Sequence, residues 1–242
     1  MPTRPLSNLP GHAGRSDWAT QLGVRVRRHL WLKALGISLF IWAFMVAYFQ
    51  LLRHPASPPY EMPLTPFDLM VPFQPGAFPA YVSLWIYVGI PPGLLLGFRE
   101  LLVYGLWAAG LCVTGLLFFH FLPTSVPLYG IDPELARHPA FALIQGVDAS
   151  GNACPSMHVA SATFSAICLD RLLRGIGAPR LLLALNGVWL LLIVHSTLAI
   201  RQHVVLDVLA GAALGAVFAW AALRWRPAAP HAFGTSISSY HS

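Results

Sequence analysis

LWLKALGISLFIWAFMVAYFQLL, Leu30 to Leu52, runs for about 23 residues with Lys33 as its only charge. A helix needs about 20 mostly apolar residues to cross the hydrocarbon core of a bilayer, and this stretch has them. It is too long for the core of a signal peptide, about 7–15 residues, and no small-residue cleavage site follows closely, so it reads as a retained first span. The rest of the chain agrees. Of its 242 residues 56% are hydrophobic and only 10% charged, with a mean hydropathy of +0.62. Soluble domains carry roughly 25% charged residues. The expectation is an all-α integral membrane protein with a single helical domain.

Five further apolar runs follow, at about 79–98, 101–122, 155–170, 181–198 and 203–223. Pro91-Pro92 should kink the first of these, because proline lacks the N–H that an inner helix turn requires. The expected organisation is a basic cytoplasmic tail over 1–29, closed by a short interfacial helix, a six-span domain over 30–226, and a flexible tail over 227–242. No internal repeat interrupts it.

Charge orients the bundle. With the N-terminus inside, the cytoplasmic regions together with Lys33 hold 12 of the 15 Lys and Arg, leaving Arg53, Arg137 and Arg201 outside. Positive residues favour the inner side, so both termini are expected in the cytoplasm. The basic residues flank apolar segments and form no extended patch, which argues against a nucleic-acid partner. The three cysteines, Cys112, Cys154 and Cys168, are too far apart for a disulfide framework or a zinc pattern. Two loops are expected outside. Residues 53–78 are Pro-rich and include Glu61, Asp68 and Phe73, and are expected to lie along the interface as a lid. Residues 123–154 include Arg137 and Asp148.

Two short pieces fall on that outer side. The first is Cys154-Pro155-Ser156-Met157-His158. Pro155 suits the first turn of a helix, which would put Ser156, Met157 and His158 in that turn. Free N–H groups and the positive dipole end there attract anions, and Ser156 adds a hydroxyl. A capped helix with an interfacial histidine accounts for the same residues. The second piece is Ser196-Thr197, followed by His203 and Asp207. On a helix, i and i+4 share a face, so Asp207 can hold one ring nitrogen of His203 and leave the other free to attack phosphorus. A structural hydrogen-bonded pair is the plainer account. His195 and His120 suit core or interfacial roles. The small residues Ala210, Gly211, Ala212 and Gly215 allow close helix contact.

Together these pieces resemble the type 2 phosphatidic acid phosphatase superfamily. Its P-S-G-H motif corresponds to Pro155-Ser156-Met157-His158, with methionine at the glycine. Its S-R-x5-H-x3-D motif corresponds to Ser196-Thr197, His203 and Asp207, with threonine at the arginine. The family's K-x6-R-P motif has no counterpart, since the only lysine is Lys33. The stretches Gly151 to Ala160 and Arg201 to Asp207 look like the inositol phosphorylceramide synthase branch, whose members move a phosphorylated headgroup onto a lipid hydroxyl. The resemblance implies six spans, His203 as nucleophile, Asp207 as its partner and His158 as acid. It implies no metal or cofactor.

The expected function is therefore a membrane phosphoesterase or phosphotransferase acting on lipid phosphates or phospholipid headgroups through a phosphohistidine. Ser156, Met157, Ser196, Thr197, Arg201 and Arg137 are the candidate phosphate- or substrate-binding residues. The expected location is a bacterial inner membrane with the site facing the periplasm. Two other readings use the same residues. One is a proton-coupled transporter with His158, His203 and Asp207 as a relay; the other is a metal-dependent membrane enzyme. Oligomeric state is open.

Overall fold

The structure is a computed structural model, and it describes residues 17–130 and 152–225. A short helix α1 (Trp18–Arg27) precedes α2 (Leu30–Arg53), and His29, in the left-handed region at φ 54°, turns the chain between them. Beyond α2 come a two-residue strand β1 (Tyr60–Glu61), a one-turn helix α3 (Pro66–Met70) and a 3-10 turn at Pro75–Ala77. Three short helices follow, α4 (Phe78–Val82), α5 (Leu84–Tyr87) and α6 (Ile90–Gly93), then α7 (Phe98–Phe121) and β2 (Thr124–Ser125). After residue 151 the chain enters α8 (Met157–Gly175), α9 (Arg180–Ala199) and α10 (Val205–Arg224). The expected N-terminal interfacial helix corresponds to α1; residues 1–16 and 226–242 lie outside the described residues.

Among the described residues four helices, α2, α7, α9 and α10, are long and apolar enough to cross a membrane, which marks an integral membrane protein. Their outward faces support this. Leu35, Leu39, Trp42 and Val46 form an exposed stripe down α2, and Leu181, Leu185, Val188 and Leu192 another down α9. Stripes of that length in water would be a large apolar patch, whereas in lipid they are solvated.

The other two expected spans depart from this pattern. The run at 79–98 is not one kinked helix but α4, α5 and α6, joined by three- and four-residue hydrogen bonds such as Ile86 N to Ser83 O (3.1 Å) and Gly93 N to Gly89 O (3.0 Å). Pro79, Pro91 and Pro92 each lack a donor, and together they prevent a regular α ladder rather than bending it once. The run expected at 155–170 extends to Gly175 as α8, which carries Asp170, Arg171 and Arg174 in its last turns. This helix sits in the middle of the bundle, packed against α10, α9, α7, α6 and α5. Its neighbours surround it, so it tolerates small and polar residues that a lipid-facing helix would not.

Close packing and buried amides hold that centre. A Cβ on Gly211 would overlap the Ser156 carbonyl, and one on Gly215 the Ala160 carbonyl, so α8 and α10 meet backbone to backbone. The Tyr87 hydroxyl donates to Asn186 Oδ1 (2.6 Å), and Asn186 Nδ2 donates to Ala166 O (3.0 Å), pinning α5 and α8 to α9. Loops 54–77, 122–130, 152–156 and 200–204 gather at one end of the bundle. Gln74 N bonds Ala199 O there (2.8 Å), and β1 pairs in parallel with β2.

Candidate active site

The first motif reaches its place by a different route from the one its sequence suggests. Helix α8 begins at Met157, and Pro155 lies before it after a cis peptide bond. Ser156 is therefore the N-cap, with its hydroxyl accepting from Val159 N (3.3 Å). That oxygen serves the helix start. Ser156 N donates to the Asp207 carbonyl (3.1 Å), which ties the two motifs together through the backbone.

His158 is the second residue of α8. Its ring stacks on Tyr81 with centroids 3.9 Å apart and planes within 9°, and Trp85 meets it edge-on at 6.4 Å. Nε2 lies 2.9 Å from the Tyr81 carbonyl oxygen. A carbonyl can only accept, so the proton sits on Nε2 and Nδ1 is left for proton exchange.

His203 and Asp207 do not share a helix face, because α10 starts only at Val205. The capping turn brings them together instead. Asp207, in the first turn of the helix, reaches back to accept from Val204 N (3.0 Å) and leaves the same Oδ2 3.6 Å from His203 Nδ1. That separation is within ion-pair range but too long for a hydrogen bond. His203 N donates to Thr197 O (3.2 Å), so the end of α9 seats the ring. Asp207 is fully buried, and among the described residues neither its Oδ1 nor His203 Nδ1 has a hydrogen-bond partner. Unbound active sites often hold such pairs loose until substrate tightens them.

A cavity of about 670 Å³ joins these groups to the bundle. Its walls are α2, α4 to α6, α7 and the start of α8, with Met157, His158, Gln202 and His203 at the loop end. Among the described residues Lys33 is the one Lys, Arg, Asp or Glu that lines it, and its Nζ donates to Arg25 O (2.7 Å) and Gly93 O (2.9 Å). On α2 the lining extends from Leu32 to Phe49, a rise of about 25 Å at 1.5 Å per residue. The cavity is a long apolar trench with two imidazoles at one end.

The remaining candidates lie elsewhere. Ser196 Oγ donates to Ile193 O (2.6 Å) and Thr197 Oγ1 to Val194 O (2.8 Å), so both hydroxyls turn back on α9 and neither lines the trench. Arg201, in the left-handed region at φ 60°, points toward the loop that holds Asp68 and Val71 rather than into the trench. Arg137 lies outside the described residues. His195 and His120 are exposed on outer helix faces. Cys154, just before α8, has its thiol pushed up to about 11 by burial and then by the neighbouring Asp207 carboxylate. Among the described residues no three His, Cys, Asp or Glu side chains gather as a metal-ligand set.

Sequence reasoning assigned no place in the site to Tyr81, Trp85 or Gln202, since a stacking partner or a cavity wall has no local signature. Asp68 did have one. Thr65-Pro66-Phe67-Asp68 follows the pattern of a capping box, and α3 forms on it.

A family model described as the PAP2 superfamily matches residues 101–230, more than half of the chain. The chain belongs to the PAP2 superfamily. No curated protein and no solved structure matches it. Membership implies a membrane phosphatase-type enzyme acting on phosphate esters. The matched stretch holds both histidine motifs, from α7 to α10. The trench wall made by α2 and α4 to α6 lies ahead of it, so this PAP2 protein completes its cavity with residues that the match does not reach.

Proposed function

We propose that this PAP2 protein acts on a lipid phosphate or a phospholipid headgroup through a phosphohistidine on His203. The observation that carries the reading is the trench. An acyl chain fits its apolar length, with the ester phosphorus left beside His158 and His203. In this reading residues 30–226 form a six-span catalytic domain in which α4 to α6 and α8 complete the crossing. Residues 1–29 and 227–242 are cytoplasmic tails, and the loop end with its site faces the outer side.

The chemistry follows from the two rings. Asp207 faces Nδ1 of His203, so Nε2 attacks phosphorus while the bond to the ester oxygen breaks. His158 enters the cycle as the imidazolium, having taken a second proton on Nδ1; the departing alkoxide takes that proton, and the Nε2–H remains on the Tyr81 carbonyl. His158 then accepts a proton from water or from an acceptor hydroxyl, which displaces His203 from phosphorus. Water yields hydrolysis; a lipid hydroxyl yields a new phospholipid. The Gly151 to Ala160 and Arg201 to Asp207 stretches resemble the inositol phosphorylceramide synthase branch and favour transfer. Met157 borders the phosphate position, and the open N–H groups of the α8 start supply donors to its oxygens.

Purified protein incubated with labelled phospholipids, with and without a diacylglycerol or ceramide acceptor, distinguishes the outcomes. Free phosphate or a freed headgroup phosphate means hydrolysis, and a new phospholipid means transfer. His203→Ala should abolish turnover while leaving the fold intact. Wild-type rates in that variant would refute the assignment of the nucleophile.

A further inference from the structure

Both histidine motifs are tied at their roots to one outer segment, residues 60–71. On one side, Tyr60 N donates to Pro123 O and Met62 N to Ser125 O (both 2.9 Å), forming the β1–β2 pair. Thr124, within that pair, receives the chain entering α8: its carbonyl accepts from Ala153 N (3.1 Å) and its hydroxyl from Cys154 N (2.7 Å). His158 lies four residues further on.

On the other side stands Asp68, fully buried. Its Oδ1 accepts from Val205 N (2.8 Å), the first residue of α10, and its Oδ2 accepts from Thr65 N and Thr65 Oγ1 (2.7 Å each). A carboxylate at that helix start also meets the positive end of the dipole. Arg201 closes the same contact from the α9 side. It donates from Nη1 to Asp68 O (3.2 Å) and the Tyr129 hydroxyl (3.0 Å) and from Nη2 to Val71 O (2.7 Å), with its guanidinium 4.2 Å over the Tyr129 ring. His203 sits between these two anchors, Arg201 and Val205.

We infer that residues 60–71 are a positioning strap that sets the spacing of the two histidines, and that Asp68 is its positioning residue. Arg201 then serves as the buckle of the strap and not as a phosphate clamp. The inference rests on the proposed function for the reaction, but its geometry does not. Neither Asp68 nor the strap belongs to the stretch that matches the PAP2 superfamily. Removing the carboxylate leaves the half-buried N–H of Val205 and the donors of Thr65 without this acceptor and frees the turn that carries His203.

The test uses full-length protein in detergent, with rates normalised to the folded, monodisperse fraction. Misplacement of a catalytic group by about 1 Å costs on the order of 100-fold. Asp68→Ala is therefore expected to lower kcat about that much, with KM within about twofold because the trench is untouched. Asp68→Asn keeps an acceptor for Val205 while turning an NH2 toward Thr65, and should lose about tenfold. If Asp68→Ala does not fold, Asp68→Asn and Arg201→Gln carry the test. In each slowed variant the pH profile of kcat should move, which a purely structural loss of active molecules would not cause. NMR of 15N-histidine-labelled protein reads the His203 ring directly, and its signals and titration are expected to shift in the strap variants. Unchanged kcat, pH profile and ring signals would overturn the strap. The reaction is judged separately. Wild-type protein that turns over no phosphate ester, or an equally fast His203→Ala, ends the proposed chemistry while the ring signals still decide the strap.

Discussion

Gly211→Ala places one methyl group at the closest approach of α8 and α10. The new Cβ would overlap the Ser156 carbonyl oxygen, with the Ser156 carbonyl carbon and Cβ each 3.2 Å away. Ser156 cannot easily yield. Its carbonyl accepts from Ala160 N (2.9 Å) and its N–H donates to Asp207 O (3.1 Å), so it is held from both helices. Restoring van der Waals contact requires the helices to part by roughly 1 Å. Overpacking of this kind costs about 1–3 kcal/mol, and the better helix propensity of alanine returns about 1 kcal/mol, so the net stability loss is at most about 2 kcal/mol. Activity should suffer far more. The separation falls between His158 and Asp207, where a displacement of about 1 Å costs on the order of 100-fold in kcat. Gly215→Ala meets Ala160 O one turn further from the site, so it should destabilise similarly and slow turnover less. Gly187→Ala, exposed on α9 with nothing within 4 Å of the new Cβ, is the control: it should match wild-type turnover and gain up to about 1 kcal/mol of stability from helix propensity. Turnover of a labelled lipid phosphate beside thermal unfolding in the same detergent measures both quantities. A Gly211→Ala variant with wild-type kcat would refute the claim that this contact sets the site.

Two further outcomes follow from the trench and its rim. Gly105 lines the trench with open space at its Cβ, so Gly105→Phe should obstruct it and raise KM for a long-chain lipid phosphate at least tenfold, leaving a short water-soluble phosphate monoester unaffected; equal effects on both substrates would count against the trench as the acyl site. The Cys154 thiol, raised to about 11, stays protonated at pH 8 with on the order of one thiolate per thousand molecules, so maleimide labelling of that peptide, followed by mass spectrometry, should be slow and should rise about tenfold per pH unit up to pH 10.

Hydrophobic run length was enough to read the helices that face lipid, because a lipid-facing helix must be apolar over about 20 residues. Thus α2, α7, α9 and α10 fall within a few residues of the runs that announced them. It said less where neighbours replace lipid. Helix α8 is buried among the other helices and carries charge at its end, and the proline-broken thread from Phe78 to Gly93 has the composition of a span without the ladder of one. The motif spacings named the residues of the candidate site, but the geometry behind them was not readable. The five residues between Ser196-Thr197 and His203 end one helix and turn, the next helix starts only at Val205, and a capping carboxylate rather than a shared face brings His203 to Asp207.

Arg201 shows why the remainder stayed hidden. A cation two residues from a candidate catalytic histidine invites a role in binding phosphate, and in a regular helix the only question would be which face it takes. What decides is the backbone. Past the end of α9 the residue adopts φ 60°, which swings the side chain away from the trench and toward carbonyls of Asp68 and Val71, about 130 positions earlier in the chain. Two carbonyls, a phenol hydroxyl and an aromatic face occupy the guanidinium, and breaking them to reach a phosphate would strand several polar groups at once. If Arg201 nevertheless bound phosphate, Arg201→Lys would raise KM and leave kcat in place. If Arg201 is a buckle, the same substitution removes the planar fork that spans both carbonyls, so kcat should fall with KM nearly constant.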